Sequence, residues 1–113
     1  MSPITSHVLD TTSGLPAADL TVTLETRRDG SWQQLGAGTT DPDGRLRTLL
    51  PDGSPLRDGE YRLVFDTAAY FATRGVATFY PRIVVEFTVS AADAHYHVPL
   101  LVSPYGYTTY RGT

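Results

Sequence analysis

Cysteine is absent from the chain, which excludes a disulfide framework, a thiol nucleophile and a cysteine-held metal site. No apolar stretch approaches the length of a membrane-spanning helix, and the N-terminus has no charged region followed by an apolar run. Neither a membrane segment nor an export signal is therefore expected. Charge of one sign is not concentrated either. Nine basic residues against twelve acidic ones give a net charge of -3, and the basic residues are scattered, so nucleic acid is not an expected partner. There is no internal repeat and no low-complexity linker. With 113 residues the chain suits one domain over 1–113, with no room for a separate cofactor domain. A hydrophobic fraction of 41% and a charged fraction of 19% are those of a globular protein, and a soluble cytoplasmic one is the default.

What is present is β-pattern cut by turns. Residues 4–9 alternate, placing Thr5, His7 and Leu9 on one face and Ile4, Ser6 and Val8 on the other. Residues 10–16 are turn chemistry. Residues 20–27 then alternate with Leu20, Val22 and Leu24 inward, as in a half-buried antiparallel strand. Asp29-Gly30 signals a hairpin that returns residues 32–38, and Asp41-Pro42-Asp43-Gly44 is a tight turn that delivers Arg45 to a strand over 45–50. A polar loop leads to a strand over 60–65 with Tyr61, Leu63 and Phe65 inward. Asp66 or Thr67 then caps a two-turn helix that runs to about Arg74 and stops at Gly75. Residues 82–89 alternate with Ile83, Val85, Phe87 and Val89 inward, 91–94 turn, and 95–102 and 105–110 form the final pair. The spacing predicts a mainly β fold, a sandwich of about eight short strands with one short helix. Pro99 sits inside an apolar run and lacks a ladder donor, which implies a bulge, an edge or a local break there.

The last nineteen residues are unusually rich in acid/base groups for a chain end. His95 and His97 are two apart and share a face of a strand. Three tyrosines lie within 105–110, and Arg111 is close to the terminus. Together with His7 and Arg45, these residues are offset from the inward apolar positions. Taken singly, each has an ordinary reading: a surface or hydrogen-bonded histidine, a solvated arginine after a turn, tyrosines at an edge or interface. Pattern alone does not decide between these readings and a joint site.

The opening Thr5-Ser6-His7-Val8-Leu9-Asp10-Thr11-Thr12-Ser13-Gly14-Leu15-Pro16-Ala17, the Asp43-Gly44-Arg45 turn, the His95-Tyr96-His97-Val98-Pro99-Leu100-Leu101 strand and the tail from Ser103 to Thr113 resemble the 5-hydroxyisourate hydrolases, the transthyretin-related enzymes of urate breakdown. The likeness runs from the first strand to the last residue. The family pattern usually ends Tyr-Arg-Gly-Ser, whereas Thr113 ends this chain, keeping the hydroxyl and adding a methyl.

The resemblance implies a transthyretin-like sandwich of two four-stranded sheets with a short helix between the fifth and sixth strands. It implies a homotetramer with sites in a channel at the dimer–dimer interface. The activity implied is hydrolytic opening of 5-hydroxyisourate, with no metal or organic cofactor. The family's catalytic positions fall on His7, Arg45 and His97, and substrate contacts on His7, Arg45, Tyr110 and Thr113, within a tail formed by 110–113. His95 matches the motif without an assigned catalytic role, and Arg111 is a rim residue before it is a site residue. The chemistry suits these groups: a neutral histidine is a base for water, and a nearby guanidinium disfavours its protonation and can stabilise an oxyanion. Two other classes compete. A transthyretin-type carrier would use the same fold and channel without catalysis, though it needs no His/Arg/His set. A zinc hydrolase would require all three histidines as ligands.

Overall fold

Inward-facing apolar positions on opposed strands close over a single core. The computed structural model describes residues 2–90 and 95–113. In chain order the elements are β1 (Ile4–Asp10), β2 (Leu15–Pro16), β3 (Thr21–Arg28), β4 (Ser31–Thr39), β5 (Arg45–Leu46), β6 (Gly59–Phe65), α1 (Thr67–Ala72), β7 (Ile83–Val89), β8 (Tyr96–Ser103) and β9 (Gly106–Thr109). One sheet runs β4-β3-β6-β7, all antiparallel; the other runs β2-β1-β8-β9, with β5 also on β1. Setting aside the two-residue β2, the helix falls between the fifth and sixth strands as expected. The expected turn over 91–94 lies outside the described residues.

The alternation read from sequence holds. Val22 and Leu24 of β3, Tyr61, Leu63 and Phe65 of β6, and Ile83, Val85 and Val89 of β7 are all buried, while Phe87 packs half-buried against Tyr61 and Tyr96. Each such side chain contributes about 1.5–3 kcal/mol by leaving water. The helix is too short to persist alone and is fixed by docking. Tyr70 and Phe71 are buried, and the Tyr70 hydroxyl donates to Asp10 Oδ2 at 3.0 Å. Asp66 precedes the helix, but its side chain makes no capping bond. The helix ends as expected: Gly75 has φ +70°, its N–H donates to Ala72, and the Val76 N–H donates back to Phe71.

Three features lie outside the sequence reading or differ from it. The pairing of β1 with β8 is parallel, from Ile4↔Tyr96 to Asp10↔Val102, because the chain reaches β8 only after crossing the other sheet. The strand expected over 45–50 pairs for only two residues. Beyond Leu46 the chain leaves the sheet and crosses β4, where a side chain at Gly36 would collide with the Leu49 carbonyl, and Leu46 and Leu49 drop into the core. The segment expected to be turn over 10–16 also ends in a two-residue strand, β2, against Leu9 and Asp10.

At Pro99 the structure selects the local break. β9 pairs with β8 up to Leu100↔Thr109, stops beside Pro99, and pairing resumes as a single bridge at His97↔Gly112 in unchanged register. There is no bulge. The Thr109 hydroxyl donates to the Pro99 carbonyl at 2.8 Å in place of a ladder bond.

Candidate active site

Directly opposed strand residues share a face, so register decides which chemistry meets. Thr5 lies opposite His97 and His7 opposite Pro99 across the parallel pair, while His7 also lies opposite Arg45 of β5. Ile4, Ser6 and Val8 are buried on the core side. The alternate positions, Thr5 and His7, therefore lie with Arg45 and His97 on the outer face of this sheet.

The Asp41–Gly44 turn holds Arg45 in place. Asp41 Oδ1 accepts the N–H groups of Asp43 and Arg45, each at 2.9 Å, and the Gly44 N–H donates to the Asp41 carbonyl at 2.8 Å. The Gly44 carbonyl in turn accepts the Val8 N–H at 2.8 Å, tying the turn to β1. The Arg45 amide is the main reason the Asp41 carboxyl titrates below the usual value. Asp41 Oδ2 also lies 3.6 Å from the Arg47 guanidinium.

Each histidine has a defined partner. His7 Nε2 is 3.0 Å from the Asp43 carbonyl, and a carbonyl only accepts, so this nitrogen carries the hydrogen. The Thr5 hydroxyl lies 2.8 Å from His97 Nδ1 and 3.2 Å from His95 Nε2, which leaves His97 Nε2 as the ring atom for substrate or water. The His97 pKa is lowered, first by burial, then by electrostatic interaction with His7, His95 and Arg45. Such a histidine is neutral and basic at pH 7.

A cavity of about 200 Å³ opens here, lined by Thr5, Arg45, Arg47, His95, His97 and Thr113. That is below the about 300–1,000 Å³ of drug-sized pockets and suits a small planar ring. The tail reaches the cavity because the Gly112 N–H donates to the His97 carbonyl at 2.8 Å. The approach is close enough that a Cβ at Gly112 would lie 2.6 Å from His97 Cδ2 and 2.9 Å from Pro99 Cγ. Tyr110 and Arg111 border an adjoining cleft of about 240 Å³ that shares His97. Tyr110 is 56% exposed, and the Arg111 guanidinium lies over the Tyr96 ring, 4.5 Å from its centroid.

Of the residues singled out from sequence, Arg45, His97 and Thr113 line one cavity, His7 stands beside Arg45, and Tyr110 stands one cleft away. Thr5, Asp41 and Arg47 were missed, and Gly112 was named only as part of the tail. Thr5 carried a signal in its position two residues before His7 on the same strand face, and Asp41 in the Asp-Pro-Asp-Gly turn that precedes Arg45. The zinc arrangement needs three histidines on one ion. Here His7 Nε2 is held by a carbonyl, and His95 and His97 share a hydroxyl. No three His, Asp or Glu side chains among the described residues are grouped to hold a metal.

The chain is similar to known proteins along nearly its whole length. The sequence profile described as the HIUase/Transthyretin family matches residues 4–112. A 5-hydroxyisourate hydrolase of Caulobacter vibrioides is 48% identical over 118 residues, covering 100% of both chains. The structure of Klebsiella pneumoniae 5-hydroxyisourate hydrolase superposes with a TM-score of 0.83 at 35% identity, covering 97% of this chain and 98% of that one. Sea bream transthyretin in complex with thyroxine superposes with a TM-score of 0.90 at 32% identity, covering 98% and 95%.

Proposed function

The chain belongs to the HIUase/Transthyretin family, and we propose that it hydrolyses 5-hydroxyisourate, opening the six-membered ring to 2-oxo-4-hydroxy-4-carboxy-5-ureidoimidazoline in urate degradation. The observation that carries this reading is the meeting of Arg45, His97 and Thr113 around one small cavity, with His7 beside Arg45. In this reading His97 is the base. Its Nε2 takes a proton from water as the water oxygen adds to a ring carbonyl. Arg45 binds the oxygen-rich ring by paired hydrogen bonds and stabilises the oxyanion formed on that carbonyl. The proton then returns to the ring nitrogen as the C–N bond breaks. His7, with its Nε2–H fixed on Asp43, orients the substrate, and the Thr113 hydroxyl and Tyr110 phenol complete the pocket.

The assembly belongs to the same proposal. The cavity opens on an outer sheet face, and β9 is an edge strand beside exposed Phe79, Tyr105 and Tyr107. Edges of this kind join subunits, and a homotetramer with its sites at the dimer–dimer interface would cover the cavity. A cytoplasmic setting is part of the same proposal. The carrier reading draws support from the likeness to thyroxine-bound transthyretin, since fold alone does not fix function. It leaves the grouping of His7, Arg45 and His97 on one outer sheet face without a purpose.

The test is the ultraviolet decay of freshly generated 5-hydroxyisourate, compared in rate with and without protein because the compound also decays spontaneously. We expect His7→Asn, His97→Asn and Arg45→Ala to stay folded and each to lose most of the acceleration. Pairs should cost far less than the product of the singles, because the residues act as a unit. Near-wild-type rates in all three would overturn the assignment of the site.

A further inference from the structure

We infer that the Thr5 hydroxyl links His97 to His95 in a proton relay, which passes the proton taken from water to an exposed imidazole and returns it to the leaving group. The inference rests on the reading above in which His97 is the base. Thr5 is 3% exposed, yet its Oγ1 touches two imidazole nitrogens, His97 Nδ1 at 2.8 Å and His95 Nε2 at 3.2 Å. A hydroxyl has one hydrogen to give, so it donates to one ring while accepting from the other. Two directions are possible. In one, His97 Nδ1–H donates to Oγ1 and the Oγ1 hydrogen goes to His95 Nε2, which leaves the His97 Nε2 lone pair in the cavity. In the other, His97 Nε2 carries the hydrogen and cannot act as a base.

The first direction balances the whole reaction. As water adds to the carbonyl carbon, its proton goes to His97 Nε2. The Nδ1 hydrogen moves to Thr5 Oγ1, and the Thr5 hydrogen moves to His95 Nε2. His97 is again neutral, now hydrogenated at Nε2, and His95 is an imidazolium. His95 then returns its proton through Thr5 to His97 Nδ1, and as the C–N bond breaks, its electron pair takes the proton from Nε2 of the His97 imidazolium so formed, leaving both rings neutral as they began. The net change is one hydroxyl added to carbon and one hydrogen added to nitrogen, as hydrolysis requires.

The location of the charge gives the relay its purpose. A positive charge on His97 would be partly buried and would face Arg45, Arg47 and His7 around the cavity. On His95, which is exposed, the same charge is hydrated and screened. Thr5 is thus a positioning and proton-passing residue, and His95 acts through it without touching the reacting atoms.

The distinguishing variant is His95→Phe, which removes the far end of the relay, an exposed side chain on the cavity wall, and leaves the Thr5–His97 bond in place. Steady-state turnover should fall about tenfold or more in kcat with KM little changed, within the range of general acid–base contributions. Thr5→Val should fall similarly, Thr5→Ser should restore the rate, and the double variant should be no slower than the worse single. The dependence of kcat on deuterium fraction should be curved in the wild type, reporting several moving protons, and linear in His95→Phe. Wild-type kcat in His95→Phe overturns the relay whatever Thr5→Val does, and so does a loss confined to KM. Full activity in His97→Asn would instead overturn the base assignment, so the two failures are separable.

Discussion

The tail offers the sharpest test of how backbone packing builds the cavity, through Gly112→Ala. A methyl group at this position would sit 2.6 Å from His97 Cδ2 and 2.9 and 3.2 Å from the Pro99 ring, against about 3.5–4.0 Å for relaxed carbon contact. Either the His97 ring turns or the tail lifts by about 1 Å. The proline ring cannot yield, because it is fixed in β8 opposite His7. If the tail lifts, the bond from Gly112 N–H to the His97 carbonyl weakens, at a cost of about 0.5–1.5 kcal/mol, and the melting temperature falls by only a few degrees. Turnover is far more sensitive, since a displacement of about 1 Å at a positioned group can cost about 100-fold. Gly106→Ala is the control: it lies in the same tail, and its nearest contact for an added methyl is Ser103 Oγ at 3.8 Å. We expect about 100-fold less acceleration of 5-hydroxyisourate decay with Gly112→Ala, in a protein that melts within a few degrees of wild type, and wild-type acceleration with Gly106→Ala. Equal rates in the two variants would refute the claim that the tail and His97 are fitted to each other.

Two further predictions concern pH and the chain end. His97 is held below its ordinary value of 6.5, first by burial and last among its causes by Arg45. The acid limb of kcat/KM should therefore lie below pH 6.5, and Arg45→Ala should move it toward higher pH by only part of the shift. A limb above 6.5 would contradict the burial argument. The same depression ties stability to pH: the contribution from His97 is complete above about pH 6.5 and is lost as pH falls through its lowered folded value, which denaturant melts across that window would report. Deleting residues 111–113 removes the Gly112–His97 bond and the Arg111 contact with Tyr96, together about 1–2 kcal/mol. The truncated protein should keep its assembly by size-exclusion chromatography and lose most of its turnover, while Thr113→Ser stays near wild type; full activity in the truncated form would make the tail mere surface.

Much of the sandwich was legible because period-two alternation reports which side of a strand is buried, and the buried positions of β3, β6 and β7 follow it. Alternation says nothing about which strand lies alongside. The parallel β1–β8 pairing joins residues more than ninety apart in sequence, and only the folded core sets that neighbour. The shortening of β5 was hidden for a related reason. The lack of a side chain at Gly36, a residue of another strand, leaves the room for the chain to pass over β4.

The site was legible in its residues before it was legible as a place. His7, Arg45 and His97 stand on three separate strands, and the sequence alone gave no reason to bring them together beyond their offset from the core. Resemblance supplied the grouping, and register supplies the physical cause: β1 is the shared neighbour, pairing with β5 on one edge and β8 on the other. Thr5 escaped notice because a threonine on a strand is ordinary. Its role exists only once His97 is opposite it and His95 is within 3.2 Å.

Pro99 shows how a residue that weakens a sheet can serve a site. In an antiparallel ladder, alternate pairs exchange both backbone bonds. The Gly112 N–H donates to His97, so Pro99 and Tyr110 form the next pair that would exchange them, and the proline has no N–H to give. The ladder is therefore open at Tyr110 and closed again at Gly112. A residue with an N–H at position 99 would let β9 zip continuously to the terminus and draw Tyr110 flat against β8. Proline instead leaves Tyr110 to stand 56% exposed at the adjoining cleft, while the bridge at Gly112 still brings Thr113 to His97 and Arg45. The opening of the ladder at Tyr110 thus goes with one missing donor, placed directly opposite His7, while the Gly112 N–H bond to the His97 carbonyl anchors the end.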